Sequence, residues 1–242
     1  MEKVVPIRDS IYLDFLSKFG VGGAHPGGIS LTKEILMMEQ INAESRILDA
    51  GCGTGQTAAY LASTYGAIVT GVDINPIMVE KAKQRMATHK LPVEIIQGSI
   101  ENLPLKSESF DIILSESVLA FVNKPKAINE IFRLLKTGGR FIGNELTINQ
   151  KPGNVMEDEI KKFYGFDSLP LEADWVGLLE QAGFKNIKIR TQAQPTLQNN
   201  ATTEFHYSQH IEPKLFAVMN QHFLIMTKYQ GILDYRIFTC SK

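Results

Sequence analysis

The chain is short of several things, and each shortage excludes something. Only two of its 242 residues are cysteine, Cys52 and Cys240, far apart in the sequence. That is too few for a disulfide framework, so a reduced, cytoplasmic setting is expected. The sequence holds no uninterrupted apolar run of the roughly 18 residues that a membrane-crossing helix needs. Its opening MEKVVPIRDS has no apolar stretch after the early lysine and does not read as a secretory signal. Neither charge sign prevails, with 25 basic residues against 26 acidic and a net charge of −1. A nucleic-acid partner, which calls for a basic patch, is therefore disfavoured. Internal repeats and low-complexity tracts are also missing. What remains is the composition of a globular chain long enough to bury its own core.

That composition is arranged as short β-rich runs alternating with helical patterns. Strands are expected at 46–50 (RILDA), 67–72 (AIVTGV), 93–97 and 110–114 (FDIIL). Helices are expected after the first run through Tyr65, over 76–88 with Pro76 in its first turn, and over 126–136. The last of these is expected to stop at a cap formed by Thr137-Gly138-Gly139, before a strand at 140–145. A helix at 173–182, a strand at 185–190 and a closing strand at 234–240 follow. Such alternation predicts an α/β fold with an open, mostly parallel sheet and helices on both faces. Residues 147–171 and 191–230 interrupt the pattern, as segments that build a substrate pocket do. Ahead of the core, 7–19 and 32–41 read as two helices, the second capped at Ser30. They are joined by the glycine-rich stretch GVGGAHPGG at 20–28. The whole reads as one domain, with 1–44 as a preliminary segment and 45–146 as its core.

The chemistry is concentrated in DAGCGTG, which runs from Asp49 to Gly55 directly after a strand and opens a helix. Glycines there let backbone N–H groups approach a ligand, and the helix N-terminus favours negative charge. A dinucleotide-binding turn would need a third glycine where Gln56 stands. Asp73 ends the next strand about twenty residues on, where a carboxylate can accept from both hydroxyls of a ribose. Gly98 to Leu105 (GSIENLPL) follows the third strand. Cys52 reads as a small buried residue rather than a nucleophile.

These stretches, together with SFDIILSESV and LLKTGGRF, resemble the class I S-adenosylmethionine-dependent methyltransferases of the small-molecule type. The resemblance spans 45–146 and continues more loosely through EADWVGLLEQAGFKNIKI. It implies a Rossmann-like seven-stranded sheet whose last strand is antiparallel, an N-terminal helical lid, and S-adenosylmethionine as cofactor. It places Asp49, Gly51 and Gly53 around the methionine part and Asp73 on the ribose, with Ile74 beside the adenine. Ser99 and Ile100 would flank the adenine, and Ser115 would lie under the methionine. Ser99 stands where the family commonly has Asp, and a plain turn residue is the alternative there. After the fourth strand comes Ser115-Glu116-Ser117-Val118, not the Asn/Asp-Pro-Pro-Tyr of enzymes that methylate base or glutamine amide nitrogens. No Pro-Cys nucleophile exists, and two cysteines are too few for an arsenite-type thiolate cluster. A small-molecule acceptor remains, methylated on O, N or C. The rivals are an RNA-directed methyltransferase, a nicotinamide-dependent oxidoreductase and a non-catalytic cofactor-binding regulator. The oxidoreductase is disfavoured by the glycine spacing and by the lack of any Tyr-x-x-x-Lys pair.

His25, in the glycine-rich stretch, is expected to face the acceptor as a base or orienting group, with Glu116 as the alternative base. His206 and His210, at helical spacing near Glu204 and Glu212, lack a third anchored ligand, so no metal is expected. The apolar stretch 213–229 and the group Phe163, Tyr164, Phe166 and Leu169 are expected to wall the acceptor pocket.

Overall fold

A computed structural model of the chain describes residues 10–191 and 203–242. In chain order its main elements are α1 (Ile11–Phe19), β1 (Val21–Gly22), α2 (Gly28–Leu36), β2 (Arg46–Ala50), α3 (Gln56–Tyr65), β3 (Ile68–Asp73), α4 (Pro76–His89), β4 (Glu94–Gln97) and β5 (Phe110–Glu116). They continue as α5 (Lys124–Leu134), β6 (Leu135–Ile148), α6 (Asn154–Tyr164), α7 (Glu172–Gln181), β7 (Lys185–Arg190), β8 (Glu204–Phe205), α8 (Val218–Lys228) and β9 (Leu233–Ser241). Seven strands pair in the order β4-β3-β2-β5-β6-β9-β7. The last strand, β9, runs antiparallel to both of its neighbours, and the other pairings are parallel. The expected doubly covered α/β sheet is present, antiparallel final strand included.

Strand alternation sorts the core into two faces. Leu48, Ile113 and Phe141 pack with α5 and α7 around the buried Trp175. Their chain neighbours Ile47, Ile112, Leu114 and Ile142 turn the other way, onto α2, α3 and α4. The same alternation carries on past the apolar run of β5. Glu116 falls on the α2–α3 face with Leu114, and Ser115 falls on the opposite face with Ile113.

Three boundaries differ from expectation. Helix α2 starts at Gly28, with Gly27 (φ 75°) as its cap, and ends at Leu36, so Ser30 lies inside it rather than capping it. The cause is the tight turn at Pro26-Gly27, where the Gly28 N–H donates to the His25 carbonyl at 3.0 Å and sets the first helical turn. Thr137-Gly138-Gly139 does not cap a helix. Helix α5 passes into β6 at Leu135, and the glycines form an irregularity where the β5 pairing jumps from Phe110↔Leu135 to Ile112↔Arg140. Gly138, at φ 79°, takes the conformation the bulge needs. Third, α1 starts behind Ser10, whose hydroxyl accepts from the Tyr12 N–H; residues 7–9 of the expected helix lie outside the described residues, as does most of QAQPTLQNNATT.

A second, two-stranded sheet was not foreseen. β1 pairs antiparallel with β8, Val21 opposite Phe205 and Gly22 opposite Glu204. The N–H of His206 donates to the carbonyls of Phe19 and Gly20, and that of Ser208 to Lys18. A strap from the C-terminal third thus lies along the N-terminal segment. Segments 155–171 and 213–229 brace that segment rather than lining the cavity, which corrects the expected pocket walls. Tyr164, Phe166 and Leu169 pack on Ile225 and Tyr229 of α8 and the loop after it. Leu215 and Val218 pack on Phe15 and Phe19 of α1. Part of the apolar surface on these segments goes into that packing, while Val155, Phe216, Phe223 and Leu224 stay exposed.

Candidate active site

A cavity of about 210 Å³ opens at the carboxyl ends of β2, β3 and β5, beneath the segment from α1 to His25. A single ordered water needs only about 10–15 Å³ on this measure, so the space is ligand-sized. Its floor is the glycine turn. Gly51 adopts φ 83°, and a Cβ there would stand 2.1 Å from a methyl of Val118. At Gly53, φ 52°, a Cβ would meet nothing within 4 Å, because the turn faces open space. Gly51 is thus required by close packing and positive φ together, whereas Gly53 keeps the floor low.

Asp73 holds the turn in place. One carboxylate oxygen accepts from the Gly53 N–H at 2.9 Å and the other from the Asn75 N–H at 2.8 Å. Burial raises its pKa, against the pull of those backbone donors. Asp49 is buried, and its Oδ2 has no hydrogen-bond partner among the described residues. Burial drives its pKa well up, the charges of Glu116 and Asp73 add to this, and the Ala58 N–H opposes it. An unpaired buried carboxylate oxygen beside an open glycine turn needs a donor. The ammonium of an amino-acid moiety is such a donor, so these residues fit S-adenosylmethionine.

Of the residues expected at the cofactor, Asp49, Gly51, Gly53, Asp73, Ile74, Ser99 and Ile100 all line this cavity. Ser99 also serves as a turn residue, its hydroxyl accepting from the Glu101 N–H at 3.2 Å. Ser115 is the exception and corrects the expectation. It does not line the cavity; on the face opposite Glu116 it is fully buried, and its hydroxyl donates to Glu145 at 2.7 Å.

His25 and Glu116 come together on the cavity wall. His25 Nε2 stands 3.6 Å from Glu116 Oε2, both side chains nearly buried. Glu116 collects donors: Thr32 Oγ1 gives a hydrogen bond to Oε1 at 2.6 Å, and Thr57 Oγ1 gives one to Oε2 at 2.9 Å. Behind His25, Asn144 Nδ2 donates to the Pro26 carbonyl at 3.0 Å and lies 3.4 Å from His25 Nδ1. His25 Nε2 lies 3.5 Å from Thr32 Oγ1 and Nδ1 lies 3.3 Å from the Pro26 carbonyl, so each ring tautomer finds a partner. Thr32, Thr57 and Asn144 were missed by sequence reasoning. Each is one of several polar residues in its element, and only the fold brings them to the same point.

The strap reaches the cavity rim through Glu204. Its carboxylate accepts from Gln56 Nε2 at 2.9 Å and from Arg85, whose guanidinium nitrogens lie at 2.8 and 3.2 Å. Arg85 also donates to the Thr54 carbonyl of the glycine turn at 2.8 Å. Among the described residues no group of three or more His, Cys, Asp or Glu side chains could hold a metal ion. Among the described residues no helix is long and apolar enough to cross a membrane.

Comparison with known proteins gives the family. A family profile described as "Methyltransferase domain" matches residues 48–143. A Bacillus subtilis protein described as an uncharacterized methyltransferase, YodH, is 40% identical over 96% of this chain and 100% of its own length. Phosphoethanolamine N-methyltransferase 1 of Arabidopsis thaliana is 27% identical over 76% of this chain and 37% of its own length. Among solved structures, Haemonchus contortus phosphoethanolamine N-methyltransferase 2 in complex with S-adenosyl-L-methionine superposes with a TM-score of 0.76 at 18% identity, over 96% of this chain and 56% of that one. The chain belongs to the class I S-adenosylmethionine-dependent methyltransferases.

Proposed function

We propose that the protein methylates a small organic molecule, with Glu116 as the proton acceptor and His25 as the group that orients it. The observation that carries this reading is the single cavity in which the glycine turn, Asp49 and Asp73 meet the His25–Glu116 pair. When bound, S-adenosylmethionine supplies a methyl group activated by its sulfonium. Asp49 and the turn at Gly51 and Gly53 hold the methionine part, Asp73 holds the ribose, and Ile74, Ser99 and Ile100 flank the adenine. Methyl transfer is an in-line displacement, so most of the protein's work is alignment and exclusion of water. The segment from α1 to His25 excludes water by covering the cavity. Glu116 receives the proton that an N–H or O–H acceptor sheds, and His25, Thr32 and Thr57 hold the carboxylate in place for it. The neutral charge balance favours a small acceptor over RNA, and the two buried, unpaired cysteines support a cytoplasmic setting.

The test separates binding from turnover. Glu116→Gln is expected to lower methyl transfer by on the order of 100-fold or more, the usual scale of a lost general base. His25→Ala should lower it less. Calorimetry should find S-adenosylhomocysteine affinity changed by no more than about threefold in either variant, a shift below 1 kcal/mol. Unchanged transfer in Glu116→Gln would remove the base assignment.

A further inference from the structure

Lys81 and Arg85 stand one turn apart on the same face of α4, and both reach across to the strap. Lys81, itself buried, donates to the His206 carbonyl. Arg85 does more, because its guanidinium is divided between two parts of the molecule. Its Nε donates to the Thr54 carbonyl at 2.8 Å, and Nη2 lies 3.5 Å from the Thr54 hydroxyl. Nη1 and Nη2 also face the two carboxylate oxygens of Glu204, at 3.2 and 2.8 Å. The Arg85 side chain is only 12% exposed and stands behind the cavity wall rather than on it.

Each end of this contact leads to the cavity. Thr54 lies in the glycine turn that lines it, next to Gly53, which is itself tied to Asp73. Glu204 opens β8, which pairs with β1, and β1 runs directly into Gly23, Ala24 and His25 on the cavity's cover. Gln56, the first residue of α3, supports the same joint by donating to Glu204 at 2.9 Å. A guanidinium is planar with its donors at fixed angles, so seating Nε on the turn also fixes where the Glu204 carboxylate sits. A lysine ammonium there would be a point charge serving one end at a time. From this division we infer that Arg85 is a positioning residue for the cofactor, one that locks the glycine turn and the cover into a single relative position. The cover then opens only against a side chain that also holds the turn. This rests on the placement of the cofactor in the glycine turn proposed above, and extends its grip to a residue behind the wall.

The experiment follows S-adenosylhomocysteine release from the full chain by stopped flow, with the urea midpoint of each unliganded variant measured beside it. Arg85→Met keeps the apolar stem and removes both contacts. Release is expected to speed up by ~10-fold or more, the scale of a lost hydrogen bond to a charged group. Adding Glu204→Ala to Arg85→Met should change the rate by less than about twofold, because the joint is already open. That loss of additivity is what a merely structural arginine would not produce. Arg85→Lys should speed release by ~3–5-fold, since it serves one end only, and it carries the test should Arg85→Met fail to fold. Release within about twofold of the parent chain in either Arg85 variant overturns the inference. So do effects of Arg85→Met and Glu204→Ala that multiply in full, which would make the two ends independent. Asp73→Asn, run alongside, tells the two failures apart. Weakened binding there with unchanged release in the Arg85 variants contradicts the joint alone, and unchanged binding in Asp73→Asn contradicts the cofactor placement itself.

Discussion

Gly51 and Gly53 sit two residues apart in one turn, yet they answer to different constraints. Both have positive φ, but only at Gly51 does a Cβ run into a neighbour, the side chain of Val118. Gly53→Ala is therefore expected to destabilise the fold by about 1–2 kcal/mol, the strain of a left-handed residue. Gly51→Ala adds a clash in a packed region, which typically costs a further 1–3 kcal/mol. Urea unfolding of the two variants checks the order, and equal losses would contradict it. Glu145 carries a different kind of prediction. Burial pushes its pKa up to about 7, although the Ser115 hydroxyl and the Val118 and Leu119 N–H groups all donate to it. Because the folded state binds this proton more tightly than the unfolded chain, the group's contribution to stability falls as pH rises from about 4.5 to about 7. The loss is at most about 3 kcal/mol. Stability of the native chain should therefore decline across that window relative to Glu145→Gln. Parallel stability curves in urea would show that the carboxyl ionises in the fold as freely as in water.

At the scale of elements, the strap and the N-terminal segment act as one cover. β1 and β8 are two residues each and could not persist alone. They are held from outside by α1 packing on Leu215 and Val218, and from the rim by Glu204 on Arg85 and Gln56. The Glu204 side chain is nearly half exposed, at 44%, so its ion pair contributes under about 1 kcal/mol to global stability. The same small energy acts wholly on the closed cover. Glu204→Ala is therefore expected to leave the unfolding midpoint almost unchanged while speeding S-adenosylhomocysteine dissociation by up to about fivefold. Stopped-flow release measures this, and an unchanged rate would show that the cover is held by apolar packing alone. Element boundaries also mark where sequence reasoning reached its limit. The helices α3 and α4 were legible because their apolar spacing, Pro76 and the flanking glycines all agree. The start of α2 was not, because Gly27 and Gly28 read as loop until the Pro26 turn makes them the first turn of a helix. The β1–β8 pairing joins residues more than 180 positions apart through two-residue strands, too short to leave a periodic trace.

Over the whole molecule, the sheet and the cofactor turn were legible and the acceptor end was not. Asp49, the glycines and Asp73 follow strands in fixed order, so local sequence already places them at one end of the sheet. The proposed acceptor end draws on α1, the His25 loop, β5 and β6, and no short stretch contains it. Ser115 illustrates the difficulty. In FDIILSE both faces of the strand are apolar, so alternation alone does not tell which of Ser115 and Glu116 turns toward the ligand. Helices α2 and α3 mark the cavity side, because Thr32 and Thr57 donate to Glu116, which lines the cavity while Ser115 does not. The central claim is that cofactor and acceptor meet between the glycine turn and the His25–Glu116 pair, and a crystal structure with S-adenosylhomocysteine tests it most directly. The account predicts the ribose hydroxyls on Asp73, the ammonium on the open oxygen of Asp49, and the sulfur facing Glu116 across a gap that admits one acceptor atom in near-attack contact, about 3–3.5 Å from the methyl position. A sulfur turned away from Glu116, or a ribose that leaves Asp73 untouched, would contradict it.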